Sequence, residues 1–424
     1  MLNVTPRAFP DMARIRQKLH RAAITDIPRA VQSALNGLDL NGSVTPGQSV
    51  AVAVGSRGIS ALDTVVGQCI DFLRQKQMKP FIVPAMGSHG GATAQGQRAV
   101  LEKLGIHENA MRVSIDADMA VEVLDRLSNG TQIYLSRSAL VADHIVVINR
   151  VKPHTKFRAE IESGLCKMLT IGLGKVDGAA EYHRQAVRHT FAIIEEAARV
   201  VLQRCPILYG LALVEDGHGD LSRIEALMPE SIVDHEKNLL KAAAAMMGRI
   251  PFDDIDILVV DRFGKDISGI GMDSNVTGRH RDIVGDFNTA PHIKRIFVRE
   301  LSPGSDGNGS GIGLADVTTR RLVEALDLKK TYKNAVTAIS PEKAAIPLHV
   351  DTDREAIAIC AGTAGMSDPA AARLVRITDT KHLEEIQVSR AMAEDVEGNQ
   401  DLKLLTPWRS MAFGRDGNLL PFDR

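Results

Sequence analysis

The stretch Ser49-Val50-Ala51-Val52-Ala53-Val54-Gly55-Ser56-Arg57-Gly58 decides the fold class. Its valine-rich run is short, ends at a glycine loop and is followed by a helical pattern over 60–75, which reads as strand, loop, helix. The same order returns at Pro80-Phe81-Ile82-Val83-Pro84-Ala85, with the loop Met86-Gly87-Ser88-His89-Gly90-Gly91-Ala92-Thr93 and a helical stretch at 94–104. Two such units in succession predict a parallel sheet with crossover helices. A third buried run, His144 to Arg150, leads into Val151-Lys152-Pro153-His154-Thr155, and a fourth, Ile207 to Val214, ends in Glu215-Asp216-Gly217-His218-Gly219-Asp220. Ligands of open α/β sheets gather beyond the carboxyl ends of the strands. Arg57, His89, His154 and His218 all follow strands, so neighbouring strands would turn them toward one cleft.

Working outward, a length of 424 residues at ~150 per domain predicts two or three domains. A helix rich in alanine and methionine ends near Gly248-Arg249-Ile250-Pro251, and a fresh strand begins at Ile255 to Val260. That break predicts a first α/β domain over 1–252 and a second over 253–399, with the segment 400–424 packed back on the first. Within the second, 335–339 and 356–361 read as strands, and Gly264 to Gly271 and Gly304 to Gly313 as glycine-rich loops. Lys plus Arg total 51 against 52 Asp plus Glu, a net charge of -1, which removes the broad positive field of nucleic-acid or anionic-membrane binders. Aromatic residues are 4%, with Trp408 the one tryptophan, so few rings are at hand to stack on single-stranded bases. Cys69, Cys166, Cys205 and Cys360 lie far apart without a CxxC pair, which argues against thiolate zinc or iron–sulfur sites and against a disulfide framework. The N-terminal stretch has no continuous apolar core of signal-peptide length, no run anywhere approaches the ~18 to 20 residues of a membrane span, and a cytoplasmic protein acting on small molecules is the expectation.

Six residues carry candidate chemistry. Ser56 and Arg57, before a helix, offer N–H groups, a hydroxyl and a guanidinium to a phosphate or carboxylate, against the competing reading of an ordinary turn. His89, among small residues, admits close approach to its imidazole, and His154 follows a proline that restricts its backbone; both compete with solvated loop histidines. Lys167 stands in Ser163-Gly164-Leu165-Cys166-Lys167-Met168-Leu169, where apolar neighbours favour a sheltered amine fit for covalent attachment, against a salt-bridged lysine. His183 follows Lys167 by 16 residues, and its competing reading is a helix-surface histidine. Asp216-x-His218-x-Asp220 reads more readily as a turn than as a metal triplet. Gly304 to Gly313 lacks the ending of a phosphate-binding loop and reads as a flexible interdomain or lid loop.

The order Gly-Ser-His89, Lys-Pro-His154, Ser163-Gly164-x-x-Lys167, His183 resembles the nickel-dependent lactate racemase family, over roughly 45–190 and more loosely beyond. The resemblance implies two α/β domains, the first with a largely parallel Rossmann-like sheet, and an active site in the interdomain cleft. It implies a nickel-pincer nucleotide, a pyridinium dithio-mononucleotide attached to Lys167 through a thioamide and made by cofactor maturation enzymes. By the same resemblance His183 completes the nickel coordination, Ser56 and Arg57 hold cofactor or substrate, and His89 and His154 are the two acid/bases. Sulfur brought by the cofactor with one imidazole suits Ni(II) and needs no cysteine cluster. The activity implied is racemisation or epimerisation of a 2-hydroxy acid by reversible hydride transfer, with the hydroxyl proton moving through the histidines.

The chain departs from the family in three places. Val54-Gly55-Ser56-Arg57 stands where the family commonly has Asp-x-Thr-Arg. The 13 residues from His154 to Lys167 exceed the family interval, implying an insertion around Phe157 to Glu160. Thr277-Gly278-Arg279-His280-Arg281 weakly matches the substrate-facing Tyr-Gln-x-x-Lys, with Arg279 and Arg281 as carboxylate contacts, which points to a larger or more acidic substrate than lactate. Two further readings stay open: a hydrolase with zinc on His89, His154 and His183, and a non-catalytic protein binding a carboxylate or nucleotide at the Arg57 loop.

Overall fold

The computed structural model describes residues 9–56 and 58–422. It is a mixed α/β structure of two compact units, His20–Met247 and a second made of Met1–Leu19 with Gly248–Arg424.

In the unit His20–Met247 the four strands expected from sequence are neighbours. The order is Lys79–Pro84, Ser49–Val54, His144–Arg150, Ile207–Glu215, Leu221–Leu227; the first four are parallel and the last returns antiparallel. Val50 through Val54 are all fully buried, as a parallel strand covered on both faces requires. The helix Leu62–Gln75 lays Leu62, Val65, Val66, Cys69, Ile70 and Leu73 into the same core. Their i, i+3, i+4 spacing is the apolar stripe of a helix packed on a sheet, and each such side chain contributes about 1.5–3 kcal/mol of burial. Because the strands run in one direction, the residues after Val54, Pro84 and Arg150 leave the sheet at the same edge.

The second unit carries a nine-stranded sheet. Its order is Leu348–Val350, Val317–Thr319, His292–Leu301, Asp254–Phe263, Leu374–Ile377, Glu385–Ser389, Asp11–Gln17, Leu402–Leu404, with Arg409–Ser410 also paired to Asp11–Gln17. The first five are parallel and the rest antiparallel. Two expectations change here. Asp11–Gln17, expected in the first domain, fills the space between Glu385–Ser389 and Leu402–Leu404, so that strand and the described residues of 400–424 belong to the second unit rather than the first. The apolar run at 335–339 falls in the last turn of the helix Leu328–Thr337 and the turn after it, and that at 356–361 in the helix Asp353–Thr363. Their starts explain this: Asp327 caps the first, and Thr352 with Glu355 forms a capping box on the second, signals that outrank a short apolar run.

The Gly304 to Gly313 stretch is a packed turn rather than a loose loop. A Cβ at Gly311, whose φ is +112°, would fall 1.8 Å from the Ile270 carbonyl oxygen, and one at Gly313 would fall 2.1 Å from that of Glu342. Glycine is used here for close backbone approach. Among the described residues no helix is long and apolar enough to cross a membrane.

Candidate active site

The strand order brings two of the expected residues together directly. Ser56, after Ser49–Val54, hydrogen-bonds through Oγ to Nδ1 of His89, which follows Lys79–Pro84. Arg57 lies outside the described residues. The His89 loop is held from beneath: Gln97 donates to the carbonyls of Gly87 at 2.9 Å and His89 at 3.4 Å, and accepts at 3.4 Å from Lys175 Nζ. Lys175 is fully buried and also donates at 2.6 Å to the carbonyl of Pro84, the last residue of the strand. Burial lowers its pKa to about 8, opposed by Asp116 and Asp118. One amine thus ties both ends of the His89 loop to the start of the helix Lys175–His189, which carries His183.

His154 stands in a loop closed by Lys152 and Ser163, whose backbones pair at 2.9 and 3.3 Å. Within it the buried Glu162 accepts from His154 N at 2.5 Å and from Ala159 N at 3.1 Å, and Lys156 N donates to His154 Nδ1 at 3.1 Å. Burial raises the Glu162 pKa, against the pull of these N–H groups, Arg158 and Lys167. Phe157, in the stretch before Lys167, has its ring 4.3 Å from that of His154 and stacks on Phe191 at 4.2 Å. Phe191 meets His183 edge-on at 5.6 Å. His154 and His183 are therefore parts of one aromatic cluster.

Lys167 is half-buried and ends the short helix Leu165–Lys167, which runs into a π-helical turn, Met168–Gly172. Such turns recur at functional sites. Its approach is set by two side chains. Asn149, near the end of the strand His144–Arg150, donates at 2.7 Å to the Gly164 carbonyl, and the buried Glu236 accepts from Cys166 N at 3.0 Å and from Leu165 N. A Cβ at Gly164 would fall 2.2 Å from Glu236 Oε1, which explains the glycine of Ser-Gly-x-x-Lys. Burial raises Glu236 to about 7 in spite of its N–H donors.

Glu162, Lys175, Phe191 and Glu236 were not among the residues expected from sequence. Glu236 was legible: with Ile232, Val233, Leu239, Leu240 and Ala243 it lies on the buried stripe of the helix Ile232–Met246. A carboxyl on such a stripe needs a partner.

Among the described residues no three His, Cys, Asp or Glu side chains converge to hold a metal ion, so the reading of zinc on His89, His154 and His183 is not supported. Asp216 is spent on backbone, accepting from Ala22, His218 and Asp220, which makes its triplet a turn. Arg279 and Arg281 belong to the other unit. The Arg279 guanidinium bonds Asp316 at 2.7 Å and the carbonyls of Ile293, Lys294 and Leu314, whereas Arg281 is exposed.

Residues 10–193 match the family described as lactate racemase N-terminal domain. Over these residues the chain is similar to the lactate racemase family. The matched stretch holds Ser56, Arg57, His89, His154, Lys167 and His183 and stops short of Arg279 and Arg281. Among solved structures, the lactate racemase apoprotein from Thermoanaerobacterium thermosaccharolyticum is similar at 13% identity and a TM-score of 0.47, over 95% of this chain and 93% of that one. No curated protein matches the chain. The racemase-family stretch is thus the part of the chain in which Ser56 meets His89 and in which His154 and His183 share a cluster.

Proposed function

We propose that the chain is a racemase or epimerase of a 2-hydroxy acid that works with a nickel-pincer nucleotide. The observation that carries this reading is the lactate racemase family match across every residue to which the cofactor and proton roles fall. The donor set fits the cofactor: one half-buried amine, Lys167, for attachment, one imidazole, His183, for nickel, and no cluster among the described residues able to hold a bare metal ion. When bound, the cofactor supplies a hydride acceptor. The protein supplies the rest. Asn149 and Glu236 fix the turn that presents Lys167, Phe191 seats His183, and His89 and His154 stand where the substrate hydroxyl proton is handled. Ser56 orients His89, and Arg57 and the exposed Arg281 are assigned to anionic groups of substrate or cofactor. Arg279, already bound to Asp316 and three carbonyls, holds that segment in place for Arg281. The arginines in place of the family's aromatic and amide residues favour a larger or more acidic acid than lactate. The protein is proposed to act in the cytoplasm, where maturation enzymes load it, with no nucleic acid or membrane partner.

The test is mass spectrometry of the Lys167 peptide, with nickel quantification, on protein made beside the maturation enzymes. An adduct with stoichiometric nickel is expected, lost in Lys167→Ala and kept in His89→Ala and His154→Ala, both of which lose turnover. Loaded-host protein without adduct would sink the reading.

A further inference from the structure

We infer that the two strand-end imidazoles are not interchangeable: His89 is the acid/base, and His154 is a neutral hydrogen-bond donor. The substrate in this inference rests on the proposed function, while the chemistry rests on the two loops.

At His154 the partner of Nδ1 is a backbone N–H, that of Lys156, at 3.1 Å. An amide N–H only donates, so Nδ1 must present its lone pair and the neutral ring carries its proton on Nε2. The amide is not free to turn away. Glu162 holds His154 N at 2.5 Å and Ala159 N at 3.1 Å, the Lys152 and Ser163 backbones close the loop at 2.9 and 3.3 Å, and Phe157 packs on the ring at 4.3 Å. A proton added at Nδ1 would face another N–H. In the neutral tautomer so fixed, Nε2 has no lone pair with which to take a proton, and giving its proton away would leave an imidazolate. What this ring can do for a substrate is donate a hydrogen bond from Nε2–H to an oxygen that gains negative charge.

At His89 the partner of Nδ1 is the Ser56 hydroxyl. A hydroxyl both donates and accepts, and rotates to suit. With Nδ1 bare, Ser56 donates to it; with Nδ1 protonated, Ser56 accepts. The bond therefore survives in either neutral tautomer and in the imidazolium. With Nδ1–H held by Ser56, the His89 Nε2 lone pair takes the substrate hydroxyl proton. The bound cofactor would supply the acceptor for the α-hydrogen and its electron pair, and the alcohol C–O would become C=O. His154 Nε2–H donates to that oxygen. In the reverse direction His89 would return the same proton to that oxygen, so one imidazole serves both directions.

The test is long-range ¹H–¹⁵N NMR on protein with labelled histidine, without cofactor, at pH 7, with the His154 signals identified by their loss in His154→Gln. The expected spectrum shows His154 as the single Nε2–H tautomer. A Nδ1–H or doubly protonated His154 would overturn the inference whatever the enzyme does. In cofactor-loaded protein, His154→Gln keeps an N–H donor and should stay within about 10-fold of wild type, while His154→Ala falls roughly 10²–10³-fold. His89→Gln should fall about 10²–10⁴-fold. A His154→Gln as inactive as His89→Gln would remove the donor role. Wild-type protein that turns over no 2-hydroxy acid would refute the proposed function and leave the tautomer result to stand by itself.

Discussion

His154 and His183, separated by 29 residues, meet through one ring: Phe191 lies edge-on to His183 at 5.6 Å and 6.5 Å from His154, with Phe157 packed against both His154 and Phe191. Because Phe191 is buried, its removal opens a cavity as well as freeing two imidazoles. Phe191→Ala should cost about 3–5 kcal/mol in urea unfolding, and Phe191→Leu less than about 1.5. If the ring seats His183, the folded Leu variant will nevertheless retain less nickel than wild type after loading. Phe157→Leu, which leaves the His183 contact intact, should retain it.

How far this arrangement could be read in advance depends on the range of the contacts. Ser49–Val54, Lys79–Pro84 and His144–Arg150 announce themselves by local composition, and the rule for parallel sheets then places Ser56, His89 and His154 at one edge. The place of Asp11–Gln17 was not legible, since its partners are Glu385–Ser389 and Leu402–Leu404 and nothing local tells a strand which sheet it will join. Phe157 and Phe191 lie 34 residues apart, and only the folded loop brings them into contact. Lys175 lies only a short way past Lys167 in sequence. Its role was hidden because its partners, Pro84 and Gln97, are carried by a distant strand and helix.

The Gly164–Glu236 approach predicts a coupled pair. Gly164→Ala drives a Cβ to 2.2 Å from a buried carboxyl oxygen and should cost about 1–3 kcal/mol or more. Glu236→Ala strands the Leu165 and Cys166 N–H groups, at about 1–3 kcal/mol each. With the carboxyl gone, the added methyl has room. The double variant should therefore lose at least ~1 kcal/mol less than the sum of the singles, as read from urea midpoints. Additive losses would show that Gly164 is not there for Glu236.

Glu236 also gives stability a pH dependence with a definite sign. Its pKa is raised from 4.5 to about 7 on folding, so between those values the folded chain holds a proton that the unfolded chain has lost. The contribution is fully present below the unfolded pKa and is lost as pH rises through about 7, by on the order of 3 kcal/mol at most. Subtracting the Glu236→Gln curve cancels other groups. Wild type minus Gln should fall from pH 4.5 to 7 and be flat above 8; a flat difference throughout would mean that the carboxyl is not desolvated as the fold implies.

Lys175 predicts the opposite slope in a different window. Burial lowers its pKa from 10.5 to about 8, so between pH 8 and 10.5 the unfolded chain binds the extra proton and the stability of wild type rises with pH. Stability is present above the unfolded pKa and is lost as pH falls through about 8, below which the penalty for the buried cation is constant. Measured against Lys175→Met, whose side chain fills similar space without a charge, wild type should gain up to roughly 3 kcal/mol between pH 8 and 10.5. The Met variant also loses the hydrogen bonds to Pro84 O and Gln97. Hydrogen exchange should then quicken in the peptide spanning Gly87 to Gly91 and remain unchanged in Ile207–Glu215, a strand that Lys175 does not touch. If the His89 loop keeps its protection in that variant, the loop is held by Ser56 and Gln97 alone, and Lys175 serves the helix rather than the imidazole.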